Sequence, residues 1–229
     1  MRCQPARFTG APAPLGGWNY DSHRPEIGGN VRWGVTPNLS LNGTVNPDFS
    51  QVEADASQIQ YDPRNALFFD EKRPFFLDGL EQFATPNRLI YTRKIVAPVT
   101  AVKLTGTLSG TSVGFLSAID DSLTSRTGDT HPIFNILRAR RNIGTGSRLG
   151  LAYTDKIDGD DWNRVFGLDT RIAFKGIYTV DRQGAYSGTE DPGTNRSGPL
   201  FEGIFKDVES AVMRGNILAT GRRIDGRDT

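Results

Sequence analysis

The side chains with the most chemical capacity in this 229-residue chain crowd one stretch, where Asp48, Glu53, Asp55, Asp70, Glu71, Asp78 and Glu81 follow one another. Two carboxyl groups held about 5 to 10 Å apart can hydrolyse a glycoside, one protonating the leaving oxygen and the other serving as nucleophile or base. Glu53, Asp70 and Glu71 can instead pair with Lys72, Arg73 and arginines of a barrel lumen and pin the stretch in place. Their spacing sets no such separation between any two of them, so pairing is the expected role and no catalytic residue is assigned. Two Phe pairs, Phe68-Phe69 and Phe75-Phe76, flank the run Asp70-Glu71-Lys72-Arg73. A segment with apolar anchors beside charges is expected to pack on something, and Glu53, Asp55, Phe68, Phe69, Asp70, Glu71, Lys72, Arg73, Phe75 and Phe76 are the candidate solute-binding or constriction residues.

A second acidic group, Asp155, Asp158, Asp160 and Asp161 around Gly159, invites calcium, which takes several oxygens from one short loop. The spacing misses the register of an EF-hand loop, so a solvated hairpin turn is expected and no metal is assigned. His23 and His131 stand apart, and neither has a partner at metal-binding spacing. No nucleophile constellation stands out: Cys3 is the sole cysteine, and no glycine-rich phosphate loop follows a strand. A conventional enzyme is not expected, and no cofactor is assigned. The basic run at Arg138, Arg140 and Arg141 lies on an alternating strand without aromatic platforms, and the formal charge of the chain is +1. Wall lining is therefore expected there, and no nucleic acid is expected as a partner.

The elements that must position these residues read as β. Leu39, Leu41, Gly43 and Val45 alternate with Ser40, Asn42 and Thr44, and Val102, Leu104, Gly106 and Leu108 alternate with Lys103, Thr105 and Thr107. The period continues in 133–143, in 148–154 and in 164–174, where Phe166, Leu168, Thr170, Ile172 and Phe174 share a face. Gly at 26 and Pro at 13 supply turns. Long alternating strands with short turns build either a soluble sandwich, apolar face inward, or a transmembrane barrel, apolar face outward. The small and charged opposite face (Lys103, Thr105, Gly150, Ala152, Asp169, Arg171) suits a wet barrel interior. Tyr91, Tyr153, Phe166, Phe174 and Tyr178 suit interfacial girdles. No apolar window is long enough for a transmembrane helix, and no secretory signal is visible at the N-terminus. Between the first hairpin and a strand expected at 88–95 runs a connection, 47–87, too aromatic for a floppy linker.

"WGVTPNLSLNGTVNPDFSQVEAD" (33–55), "LFFDEKRPFFLDG" (67–79) and "LIYTRKI" (89–95) closely resemble a bacterial family known as domain of unknown function 5916. Its members look like outer-membrane β-barrels behind a carbohydrate-binding (family 9)-like sandwich. The resemblance covers residues 27 to about 175, is looser to Phe205 and fades beyond. Members look longer than this chain, which therefore resembles a fragment. The resemblance implies an all-β, antiparallel up-and-down barrel of transmembrane type, incomplete here, with residues 1–28 as an irregular leader, 29–206 as barrel strands and 207–229 as a tail. It also implies a Gram-negative outer-membrane location, membrane lipid as partner, and passage or capture of a small polar solute, saccharide being the one suggested. The competing expectations are a soluble or surface sandwich binding glycan through Trp18, Trp33 and Trp162, and a glycoside hydrolase using the loop carboxylates.

Overall fold

The structure, a computed structural model, describes residues 28–47, 70–174, 178–192 and 194–207. Nine strands form one antiparallel sheet in sequence order: β1 (Gly29–Thr36), β2 (Leu39–Val45), β3 (Pro98–Leu108), β4 (Thr111–Asp120), β5 (Ile133–Ile143), β6 (Ser147–Asp158), β7 (Asp161–Phe174), β8 (Tyr178–Asp191) and β9 (Thr194–Asp207). Each neighbour in sequence is the neighbour in space, so the topology is up-and-down. Among the described residues β1 and β9 are the edges and do not pair with each other. A single sheet is not the pair of sheets that a sandwich needs.

Local chemistry sets the reversals. Leu108 pairs with Thr111 across a two-residue turn in which Ser109 and Gly110 both have positive φ, 49° and 77°, as the tight twisted hairpin requires. The connections differ in length, and all after β6 are short. Those after β1, β3 and β5 take two or three residues, whereas β2 to β3 spans 46–97 and β4 to β5 spans 121–132. The long connections therefore gather at one end of the sheet.

The alternating pattern sorts the two faces in the unusual sense. On the open face Trp33, Leu41, Leu104, Phe115, Leu137, Tyr153, Phe166 and Tyr186 lie opposite one another from strand to strand. Trp33 is 62% exposed, and Leu168, Ile172 and Phe174 are exposed as well. On the other face Lys103, Arg138 and Asp169 are buried, Lys103 completely. A water-soluble sheet buries its apolar face, and this one buries the charged face.

The cover for that face is the connection itself. Residues 70–97 contain a single helical turn, Pro74–Leu77, and two 3-10 turns, Leu80–Phe83 and Thr92–Lys94. Phe76, Phe83 and Ile95 pack with Ala101, Leu116, Ala118, Phe134 and Ile136 into the hydrophobic core. Small residues in the sheet make room for them. A Cβ on Gly114 would lie 3.0 Å from the Phe83 ring, and one on Gly167 would lie 2.5 Å from Leu89.

The strand expected at 88–95 does not form; the first strand after the connection begins at Pro98. The groups that a ladder would use there are held by side chains. Arg73 donates to the carbonyls of Thr92 and Ile95, and the Asp120 carboxylate accepts from the backbone N–H of Val96 (2.9 Å) and Ala97 (2.7 Å). Backbone groups satisfied in this way gain nothing by pairing with a strand.

Candidate functional site

The site is the covered face together with the segment 70–97 lying on it. Its anchor is the charged run. Arg73 Nε donates to Glu71 Oε1 and Nη2 donates to Oε2, each at 2.8 Å, while Nη1 donates to the Ile95 carbonyl at 2.6 Å and Nη2 also to the Thr92 carbonyl at 3.1 Å. Thr92 Oγ1 donates to Glu71 Oε2 at 2.6 Å, and the guanidinium sits 4.1 Å from the centre of the Phe76 ring. Both side chains of the ion pair are nearly inaccessible, at 5% for Arg73 and 4% for Glu71. Burial by itself would raise the Glu71 pKa; the bonds from Arg73 and Thr92 outweigh it and hold the carboxyl below its ordinary value. A bidentate pair that also satisfies two carbonyls is a latch closing the 71–95 loop.

Further bonds spread the segment across the sheet. Asn42 on β2 donates to Asp78 Oδ2 at 2.8 Å, and Lys103 Nζ on β3 donates to the carbonyls of Phe75 and Asp78. Arg138 on β5 donates to the Ala84 carbonyl at 3.2 Å and pairs with Asp169 on β7. On β8, Gln183 Oε1 accepts from the backbone N–H of Asn87 at 2.7 Å. The segment thus reaches from β2 to β8. Gly150 is required beneath it, since a Cβ there would lie 2.6 Å from both Arg138 and Asp169.

An open cleft of about 420 Å³ remains between the β1–β2 hairpin and the segment, lined by Arg32, Ser40, Asp78, Glu81, Gln82 and Thr105 among others. Arg32 and Asp78 approach to 3.6 Å across it.

The candidate residues fall into groups. Glu71, Arg73, Phe75 and Phe76 come together, with the two rings edge-to-face at 5.2 Å, and they face the sheet. Asp70 and Lys72 are exposed, and the Asp70 carbonyl accepts from Arg93 at 2.8 Å. Glu53, Asp55, Phe68 and Phe69, with Asp48, lie outside the described residues. The acids around Gly159 diverge. Asp155 pairs with Arg164 on the open face, Asp158 accepts from Ser125 and Thr130 at 2.6 Å each, and Asp161 pairs with Arg126 at 2.7 Å. Asp158 and Asp161 thereby tie the 121–132 connection to the β6–β7 turn. Among the described residues no three His, Cys, Asp or Glu side chains group as a metal site.

Sequence reading missed the parts played by Asp120, Thr92, Asp181 and Gln183. The one available signal was position: Asp181 and Gln183 continue, on the next strand, the polar alternation that marks Asp169 and Arg171.

These features define an all-β protein built on one up-and-down antiparallel sheet that presents apolar side chains to its surroundings and buries charge under a folded connection. Residues 19–104 match the family model described as a domain of unknown function, DUF5916, which supports that family over the first three strands and the connection. Residues 185–228 match a second model, the RNA binding domain of polyribonucleotide nucleotidyltransferase. The polyribonucleotide nucleotidyltransferase of Hyphomonas neptunium (strain ATCC 15444) is 39% identical over 57 residues, which cover 25% of this chain and 8% of that protein. The chain therefore spans less than a tenth of this curated relative. No solved structure matches the chain.

Proposed function

We propose that the chain is part of a Gram-negative outer-membrane β-barrel whose covered face lines a path, or a capture site, for a small polar solute. The observation that carries the reading is the inverted sheet: Trp33, Phe115, Leu137 and Phe166 are exposed while Lys103, Arg138 and Asp169 are buried. Exposed apolar side chains in continuous rows suit a lipid environment and are costly in water. Two groups of polar side chains on the open face agree with this, because they satisfy one another. Ser117 donates to Asn135 at 2.9 Å, and Arg164 pairs with Asp155 while stacking 4.7 Å from Trp162. Lipid offers such groups no other partner. Placing the short turns at the periplasmic end and the long connections outside follows the usual arrangement of such barrels. Nine antiparallel strands leave β1 and β9 running the same way, so closure through antiparallel pairs takes an odd number of further strands. The segment 70–97 then acts as a constriction. Saccharide enters as solute only through the family likeness, and the polar cleft beside Asp78 is where it would be sought.

The test is refolding, in parallel, into detergent micelles and into plain buffer. A β circular-dichroism spectrum with a heat-modifiable gel band in detergent alone is expected. A soluble β spectrum in plain buffer would overturn the membrane reading.

A second reading attaches to residues 185–228 alone, where the likeness to an RNA binding domain suggests contact with RNA. It expects the refolded chain to retain a single-stranded RNA oligonucleotide at physiological salt, with an affinity that falls as salt rises. Absence of retention at low salt would remove it.

A further inference from the structure

Four arginines, Arg138, Arg140, Arg148 and Arg171, lie on the covered face of β5, β6 and β7, and Asp169, Asp181 and Glu202 are among the acids on the same face of β7, β8 and β9. Arg138 pairs with Asp169, and Arg171 holds Asp181 through Nε at 2.6 Å and Nη2 at 3.0 Å. Glu202, opposite Gln183, has no salt bridge or side-chain hydrogen bond among the described residues, and of the four arginines that leaves Arg140 and Arg148. Both are half-buried, and among the described residues neither has a salt bridge or a side-chain hydrogen bond. They are diagonal neighbours, since Arg140 lies opposite Gly150 and Arg148 is two residues along the same strand. Long side chains meet at that spacing. Arg148 stands within Coulombic range of Arg171 and Arg140, which repel it, and of Asp181 and Asp169, which attract it. A second donor lies on the same face. Gln183 is 4% exposed, its Oε1 is taken by the Asn87 amide, and its Nε2 is buried without a hydrogen-bond partner among the described residues. Gln183, Asp169, Gly150 and Arg140 occupy one cross-strand row.

We propose that Arg140, Arg148 and the free amide of Gln183 form an anion-binding station on the covered face, taking a small solute through a carboxylate or phosphate group. Guanidinium forks match the paired oxygens of such groups, and a buried amide N–H2 without an acceptor is satisfied by one. The inference rests on the covered face being the solute-facing wall, and it narrows the solute from polar to anionic.

The experiment is calorimetric titration of the folded chain, in whichever solvent supports its β spectrum, with inorganic phosphate, with succinate and with glucose as the neutral control. Binding of phosphate or succinate, weakening with added salt and absent for glucose, is expected. Phosphate alone would mark a phosphoryl solute, and succinate alone a carboxylate one. Arg140→Gln and Arg148→Gln should each weaken binding about tenfold, the worth of one charged hydrogen bond. Gln183→Glu keeps the acceptor for Asn87 but replaces the donor with a negative charge, and should abolish binding. Variants are compared only where their circular dichroism matches wild type, and Arg148→Lys, which keeps the charge, serves if Arg148→Gln does not fold. Binding of neither anion to the folded chain, or variants that bind like wild type, would overturn the station. The membrane reading fails separately, on the solvent in which the chain folds.

Discussion

Replacing Arg73 with alanine is expected to release the segment 70–97 from the sheet while leaving the strands paired. The substitution removes four hydrogen bonds at once, two to Glu71 and one each to the carbonyls of Thr92 and Ile95. It leaves the Glu71 carboxylate, 4% exposed, without its cation, with only the Thr92 hydroxyl and the backbone N–H groups of residues 72 and 73 as donors. Stranding one partner of a buried ion pair costs about 3–5 kcal/mol. Nearest-neighbour strand pairing does not depend on that bond, so the loss should be local. Arg73→Lys should restore only part of it, because a point charge cannot serve four acceptors set around a planar fork. Amide hydrogen exchange is the measurement: faster exchange at 76–95 with unchanged protection in β4 to β7 is expected, and uniform protection across both would show that the latch is idle.

The same latch predicts a pH dependence. Glu71 titrates below its ordinary value of 4.5 in the folded chain, so its contribution is complete above the unfolded pKa and is lost as pH falls through the lower folded one. Protection of 76–95 should therefore drop below pH 4.5 in wild type and change less in Glu71→Gln, the difference between the two isolating this carboxyl from the others.

Strand identity was legible in the sequence because alternation is a local property. A residue's face follows from its neighbours two positions away, and Leu104, Phe166 and Leu168 fall on the face their period indicates. What the period cannot register is a competing claim on the backbone. Residues 88–95 carry a plausible strand, yet Arg73, Glu71 and Asp120, between 19 and 24 positions from the groups they bind, take the carbonyls, hydroxyl and amides of 92–97. Partner choice was equally hidden. Glu71 pairs with Arg73 as expected, while Asp78, for which no partner was expected, turns to Asn42, Arg32 and Lys103 on the sheet. The small residues Gly114 and Gly167 look like turn material when read alone, and become seats for Phe83 and Leu89 only once the segment is seen to cross the strands.

The second large effect concerns Arg138 and Asp169, whose side chains are 1% and 4% exposed. Arg138→Met leaves a buried carboxylate without its cation, and Asp169→Leu leaves a buried guanidinium without its anion, so each should lower the unfolding free energy by about 3–5 kcal/mol. The double variant Arg138→Met/Asp169→Leu leaves neither charge behind and should recover most of that loss, a coupling that a double-mutant cycle reads directly. Tryptophan fluorescence during denaturant unfolding of the refolded chain gives the three values. Recovery separates two roles that the geometry combines in one side chain, because Arg138 also donates to the Ala84 carbonyl. In the double variant the sheet should be stable while exchange around Ala84 is faster than in wild type. If the double variant instead loses as much as the two single variants added together, the pair is not an isolated ion pair, and the interior charge must be treated as one network running through Asp169, Arg171 and Asp181 to the unpaired arginines beside it.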